Sequence, residues 1–237
     1  MELLKVNIQK AGYDKKGILS DVAFSIHKGE LVGLIGDNGA GKSTTIKSIL
    51  GFLKSVEGSI EFVETGHYAY VPEHPSFYDE LTLWEHIDLA ASVMEIDESV
   101  LKKRSEELLK TFKLKHVIHE IPNTFSKGMQ QKVMLILAFL IQPYLFIVDE
   151  PFIGLDPNAM KDFIHKIQVE KQRGAGILMS THVLDTAEKH CDRFLLMKGG
   201  TIVAQGTLQD LQSLSGLKGG TLFDCYNALS EDTDVRS

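Results

Sequence analysis

Cysteine, tryptophan and long apolar runs are all scarce in this chain of 237 residues. Only Cys191 and Cys225 are present, and neither falls in a CxxC or Cys/His ligand spacing. That excludes a disulfide framework and a structural zinc site, and it fits a reducing compartment. A basic excess is missing as well, since 25 Lys and Arg face 32 Asp and Glu for a formal net charge of -7. General nucleic-acid binding rests on a basic face, so no nucleic acid is expected as a partner. The opening residues MELLKVNIQK place an acid and two lysines among the apolar positions, and no signal-peptide core is expected there. The most apolar stretch, 133–148 (VMLILAFLIQPYLFIV), is interrupted by Gln142 and Pro143. It falls short of the roughly 20 residues that span a bilayer as a helix. It reads instead as a buried helix followed by a buried strand.

What is present describes a globular α/β chain. Hydrophobic residues make up 43% and charged residues 24%, ordinary proportions for one large domain or two joined lobes. No internal repeat or low-complexity segment breaks it. Residues 2–9 and 18–27 read as short strands around a loop holding Gly12 and Tyr13. Leu31 to Ile35 is a compact apolar run ending at a glycine cluster, as a buried strand would. Residues 42–53 follow with Ile46, Ile49, Leu50 and Leu53 at helical spacing. From about 81 to 141 the pattern is mainly helical, with one stripe at Leu83, Trp84, Ile87 and Ala91 and another at Leu101, Leu108 and Phe112. Strands return at 145–149, 177–180 and 194–197, while Asp156-Pro157 reads as an N-cap and first position of a helix. Residues 207–237 turn polar and irregular, which suggests a short helix and a loose tail. The order implies an α/β core with a helical lobe set into it.

Gly36-Asp37-Asn38-Gly39-Ala40-Gly41-Lys42-Ser43 fits G-x-x-x-x-G-K-[ST] between a predicted strand and a predicted helix. Four constrained positions match by chance in roughly one chain in a hundred of this length, and the flanking elements lower that further. Glycines let main-chain N–H groups turn inward around phosphate oxygens, and the helix start adds its positive end. Lys42 would reach the β- and γ-phosphates, and the Ser43 hydroxyl would ligate Mg²⁺.

Leu145-Phe146-Ile147-Val148-Asp149-Glu150 is an apolar strand ending in two acids that point to opposite sides. Asp149 would hold Mg²⁺ through water, and Glu150 would polarise the attacking water as general base. His182, just past another apolar strand in Ser180-Thr181-His182, is expected to donate a hydrogen bond to the γ-phosphate as charge builds.

A phosphate loop and a carboxylate strand are common to kinases, GTPases, helicases and transport ATPases. Phe125-Ser126-Lys127-Gly128-Met129-Gln130-Gln131-Lys132 separates them. It resembles LSGGQxQR, the signature of the ATP-binding-cassette (ABC) ATPases, and stands before a long apolar helix. The resemblance covers about residues 3 to 210 with all elements in family order. It implies an α/β P-loop NTPase core with N-terminal antiparallel strands, an ABC ATPase domain over 1–210 with a helical subdomain inserted at about 80–142, and a short C-terminal tail over 211–237. It implies ATP and Mg²⁺ as ligands. Tyr13 matches the aromatic that stacks on adenine. Gly36, Asn38, Gly39, Ala40, Gly41, Lys42, Ser43 and Thr44 match the phosphate loop, and Ser126 and Gly128 match the signature that binds the γ-phosphate of an opposite subunit. Gly154-Leu155-Asp156 resembles the D-loop, and His182 the switch histidine. FSKGMQQKVM, DEPFIGLDP and LMSTHVLDTAE are most similar to the Ecs-type ATPases of Gram-positive bacteria, near the exporter branch.

Three departures stand out. Glu73 occupies the Q-loop position, keeping an acceptor for Mg²⁺ but losing the amide donor. Lys127 and Met129 replace the second glycine and the glutamine of the common signature. The stretch between Gly58 and Tyr70 is short, so a trimmed antiparallel arm is expected. By resemblance the chain is a cytoplasmic ATPase at the inner face of the membrane, hydrolysing ATP to ADP and phosphate. Its partners would be a multi-spanning membrane permease and a second copy of itself or a paralogous ATPase. Phe77, Tyr78, Leu81 and Trp84 either help form the docking groove for that permease or simply pack the helical lobe. The alternative function is a soluble ABC ATPase that remodels a nucleic-acid or protein complex. Such chains usually carry a second cassette, a coiled-coil insertion or basic extensions, and none is seen.

Overall fold

The computed structural model describes residues 1–13, 16–63 and 67–234, with side chains of the last helix described through residue 230. In chain order it opens with β1 (Glu2–Tyr13), β2 (Lys16–His27), β3 (Leu31–Ile35), α1 (Lys42–Ile49) and β4 (Ser55–Phe62). There follow β5 (Tyr68–Val71), α2 (Leu83–Val93), α3 (Glu98–Thr111), α4 (Lys127–Leu140), β6 (Leu145–Asp149) and α5 (Pro157–Arg173). The chain ends with β7 (Gly176–Thr181), α6 (Leu184–His190), β8 (Arg193–Lys198), β9 (Thr201–Gly206), α7 (Leu208–Ser215) and α8 (Leu222–Asp234). Two compact units result, one formed by Met1–Thr65 with Gly176–Ser237 and the other by Gly66–Ala175. Among the described residues no helix is long and apolar enough to cross a membrane.

The first unit holds two kinds of sheet. In β1, Leu4, Val6 and Ile8 are buried while Lys5, Asn7 and Gln9 are exposed, the period of two of a half-buried strand. β1 pairs antiparallel with β2 on one side and with β4 on the other. It runs further than the sequence reading expected, so that Tyr13 is its last residue, opposite Lys16, rather than part of a loop. After Gly58, Ser59 to Phe62 continue β4 along β1. Every residue of β3 and of β7 is buried, as suits strands covered on both faces. β3 lies between β7 and β8 and is parallel to both, and β9 closes antiparallel onto β8. The start of β3 is fixed by the Asp192 carboxylate, which accepts the Leu31 N–H at 2.8 Å.

The described C-terminal residues form two helices rather than a loose tail. Leu222, Cys225, Tyr226 and Leu229 recur at helical spacing and bring α8, together with Leu211 of α7, into a cluster with Ile35, Ala187, Phe194 and Leu196.

In the second unit β5 and β6 run parallel. Helix α2 begins in a capping box, where the Thr82 hydroxyl accepts the Glu85 N–H at 3.3 Å and the Glu85 carboxylate accepts the Thr82 N–H at 2.7 Å. Its stripe is realised with Leu83, Ile87 and Ala91 buried, while Trp84 is half-buried. The core is aromatic. Phe139 of α4 stacks on Phe112 at 6.3 Å between centroids and touches Phe146 of β6 at 5.5 Å and Phe163 of α5 at 6.2 Å. Phe152 meets Phe163 edge-on at 5.8 Å. Removing the central ring loses transfer energy and leaves a cavity. Phe139→Ala is expected to cost about 3–5 kcal/mol in denaturant unfolding, and a cost under about 1 kcal/mol would refute its central place.

Candidate active site

In the first unit β3 stops at Ile35, and the chain turns through residues 36–41 into α1, with Gly41 as N-cap at φ 109°. Main-chain groups from another turn hold the far end of this loop. Gly200, in the turn between β8 and β9, donates its N–H to the Ala40 carbonyl at 2.9 Å and accepts the Ser20 N–H at 3.0 Å. A Cβ on Gly200 would lie 1.7 Å from the Ile18 carbonyl oxygen, so no larger residue fits. Within the loop the Lys42 ammonium is buried and donates to the Gly36 carbonyl at 2.7 Å and the Asp37 carbonyl at 3.2 Å. Ser43 and Thr44 follow in the first turn of α1. An ammonium resting on carbonyls beside a helix N-terminus, on a path lined by Gly36, Asn38, Gly39, Ala40 and Gly41, is a cradle suited to a polyphosphate.

Thr181 of β7 stands opposite Ile35 of β3 in parallel register. His182 therefore leaves the sheet at the same edge as the phosphate loop, the carboxyl end of the strands where open α/β sheets bind ligands. Tyr13 ends β1 half-exposed, with the Lys47 ammonium 5.8 Å from its ring centroid.

In the second unit Val71 of β5 stands opposite Val148 of β6. Glu73 and the pair Asp149–Glu150 thus emerge from one edge. Glu73 is half-exposed, 3.9 Å from the exposed His74. Asp149 and Glu150 are buried, and Glu150 sits at φ 48°, in the left-handed region. For a residue other than glycine that conformation costs on the order of 1–2 kcal/mol, and strain of this kind concentrates at functional sites.

Ser126 caps α4, its hydroxyl accepting the Met129 N–H at 3.4 Å. Gly128 lies against the loop at 154: a Cβ on it would be 2.3 Å from the Gly154 carbonyl oxygen. Four residues on, the Lys132 ammonium meets the Asp156 carboxylate at 2.7 Å, and Asp156 also caps α5 by accepting the Asn158 and Ala159 N–H groups at 3.1 and 3.0 Å. In sequence Asp156 reads as a helix cap and as part of the D-loop resemblance, and Lys132 as part of the signature. Their pairing spans 24 residues and has no periodic signal.

The family model described as ABC transporter matches residues 19–153. The chain belongs to the ABC transporter ATP-binding proteins. It is 56% identical over 232 residues to the ABC transporter ATP-binding protein YthP of Bacillus subtilis (strain 168), covering 97% of this chain and 98% of that protein. It is 42% identical to the ABC-type transporter ATP-binding protein EcsA of the same organism, covering 98% of each, which bears out the Ecs-type resemblance. A solved structure described as the ATP binding subunit of an ABC transporter superposes with a TM-score of 0.91 at 43% identity, over 96% of this chain and 99% of that one. The protein is thus an ABC-type ATPase that binds ATP, with the mixed α/β cassette fold.

The hydrogen bond from Lys132, then the N–H groups of Ala159 and Asn158, hold the Asp156 carboxyl down to about 2. A depressed carboxyl contributes stability fully present above its ordinary value of 3.8 and lost as pH falls through about 2. Lys132→Ala is expected to move the Asp156 titration up towards 3.8, read by carboxyl-carbon NMR. An unmoved titration would mean the ion pair is not formed.

Proposed function

We propose that this ATPase is the energy-coupling subunit of an exporter, working on the cytoplasmic face of the membrane with a separate multi-spanning permease. The observation that carries the reading is the sorting of its groups. The phosphate loop and His182 share one strand edge of the first unit, while the second unit carries Glu73, Asp149 and Glu150 on one edge and the signature turn locked to residues 154–156. The likeness to the Ecs-type ATPases, near the exporter branch, favours export.

Two such subunits, identical or paralogous, bind two ATP molecules head to tail. Tyr13 stacks on adenine. Main-chain N–H groups over 36–44 and the Lys42 ammonium grip the phosphates of one copy, and Ser126 with Gly128 of the other closes over the γ-phosphate. Glu150 takes a proton from the attacking water, whose oxygen forms the new bond to phosphorus as the bond to ADP breaks. His182 donates a hydrogen bond to the oxygens on which charge builds.

Among the described residues no group of three or more His, Cys, Asp or Glu forms a cage of its own for a metal ion. Mg²⁺ is usually bound through one or two carboxylates together with substrate phosphate oxygens. Ser43, Asp149 and Glu73 would hold it, and when bound it neutralises phosphate charge. Glutamate at 73 retains an oxygen ligand where glutamine would supply one.

Closure of the helical subdomain at about 80–142 passes through the Glu73 segment to the permease. A groove of about 480 Å³ lined by Phe77, Tyr78, His86, Leu89, Met134 and Leu137 supports this docking role, with Tyr78 and Leu89 exposed. Of the four aromatic and apolar candidates, Leu81 and Trp84 lie outside its lining.

Glu150→Gln is expected to keep ATP binding and lower phosphate release about 100-fold or more. Near-normal turnover would remove Glu150 as base. Lys42→Ala loses a charge-assisted contact and should raise the Kd for ATP about tenfold or more by calorimetric titration, and unchanged affinity would undo the phosphate-loop assignment. Purified from membranes with its native partners, the tagged chain is expected to bring a multi-spanning protein, whereas ribosomes would favour a remodelling ATPase.

A further inference from the structure

Helix α8 reaches the phosphate loop. The Asp37 main-chain N–H, second residue of the loop, donates to the Tyr226 phenol oxygen at 3.1 Å across 189 residues of sequence. Tyr226 is buried, its ring in the cluster that includes Ile35, the last residue before the loop. The peptide so held carries the Gly36 carbonyl, which accepts the Lys42 ammonium at 2.7 Å, and the carbonyl of Asp37 itself accepts that ammonium at 3.2 Å and the Ala40 N–H at 3.1 Å. Residue 37 therefore joins the helix to both the cation of the cradle and its turn.

The helix that delivers Tyr226 is fixed at both ends. At its start the Glu188 carboxylate of α6 accepts the Leu222 N–H at 2.5 Å, and Thr221 and Asp224 hydrogen-bond each other in a capping arrangement. Towards its end the Lys198 ammonium of β8 donates to the Ser230 carbonyl at 2.9 Å. Burial pushes the Tyr226 phenol above its ordinary range, so the group at residue 37 is a neutral hydroxyl.

We infer that the Tyr226 hydroxyl is a positioning group for ATP binding, although it lies beyond every motif of the phosphate site. The hydroxyl occupies the Asp37 N–H, withholds it from the phosphates, and fixes the entry of the loop in the geometry that lets the amides further along point inward. Without it the loop samples other paths, and apparent affinity falls by the fraction of time the binding-competent one is lost.

The inference rests on the phosphate-loop assignment, which Lys42→Ala tests separately. In the full chain, Tyr226→Phe keeps the ring and removes the hydroxyl, the loss of one neutral hydrogen bond. The Kd for ATP is expected to rise about three- to tenfold, with faster hydrogen exchange at the Asp37 amide. Cys225→Ala, a packing change in the same helix, is expected to leave both near wild type. Wild-type affinity and exchange in Tyr226→Phe would overturn the inference, and so would equal losses in the two variants, which would make the role one of packing. Should Tyr226→Phe fail to fold, the wild-type chain decides: ATP is expected to slow exchange at Asp37 and shift the Tyr226 ring resonances together, and a shift at neither would overturn it. Loss of binding in Lys42→Ala with no effect of Tyr226→Phe leaves the phosphate loop standing and removes only the inference.

Discussion

The nucleotide end of this protein depends on a junction made of main chain. Ser20, Gly200 and Ala40 come from three separate segments and are joined by two hydrogen bonds through one residue, Gly200, at 3.0 and 2.9 Å. Any side chain at Gly200 would collide with the Ile18 carbonyl. Backbone groups are obligatory donors and acceptors, so such a junction anchors the C-terminal end of the loop through main chain, while the Tyr226 hydroxyl holds its entry. The left-handed Gly41, the start of α1 and the resting place of Lys42 follow from that fixed path.

The second unit solves a different problem by side-chain chemistry. Its signature turn has to present Ser126 and Gly128 at a helix start, and a lone helix start is a floppy thing. Contact of Gly128 with Gly154 fixes the distance between two backbones, and the Lys132–Asp156 pair fixes the direction of one helix against another. The pair is exposed on the Asp156 side, so its worth lies in orientation more than in stability.

Much of this was legible in sequence because local patterns carry it. The G-x-x-x-x-G-K-S loop, the apolar strand ending in Asp149-Glu150, the Asp156-Pro157 helix start and the helix-then-strand reading of 133–148 each announce themselves within a few residues, and the structure has α4 and β6 where that reading put them. Contacts between distant positions were not legible. Nothing in the spacing joins Lys132 to Asp156, Lys47 to Tyr13, or Tyr226 to Asp37. The C-terminal segment shows a subtler failure. Leu222, Cys225, Tyr226 and Leu229 already stand at i, i+3, i+4 and i+7, but polar residues around them mask the stripe, and it takes the buried face of α8 to show which residues matter. Strand β1 was read too short for a related reason, since Lys10 and Gly12 interrupt the apolar alternation while their backbone groups still pair with both neighbours.

The phenylalanine cluster of the second unit ties together groups that chemistry treats as separate. Phe146 lies three residues before Asp149, Phe139 is near the end of the helix that Ser126 caps, and Phe152 directly follows the Glu150-Pro151 turn. Heat that loosens one ring releases its neighbours, so the acids and the signature turn melt as a single cooperative block. A warmed sample should therefore hold molecules that are either fully competent or fully inert, with no partly active form between them.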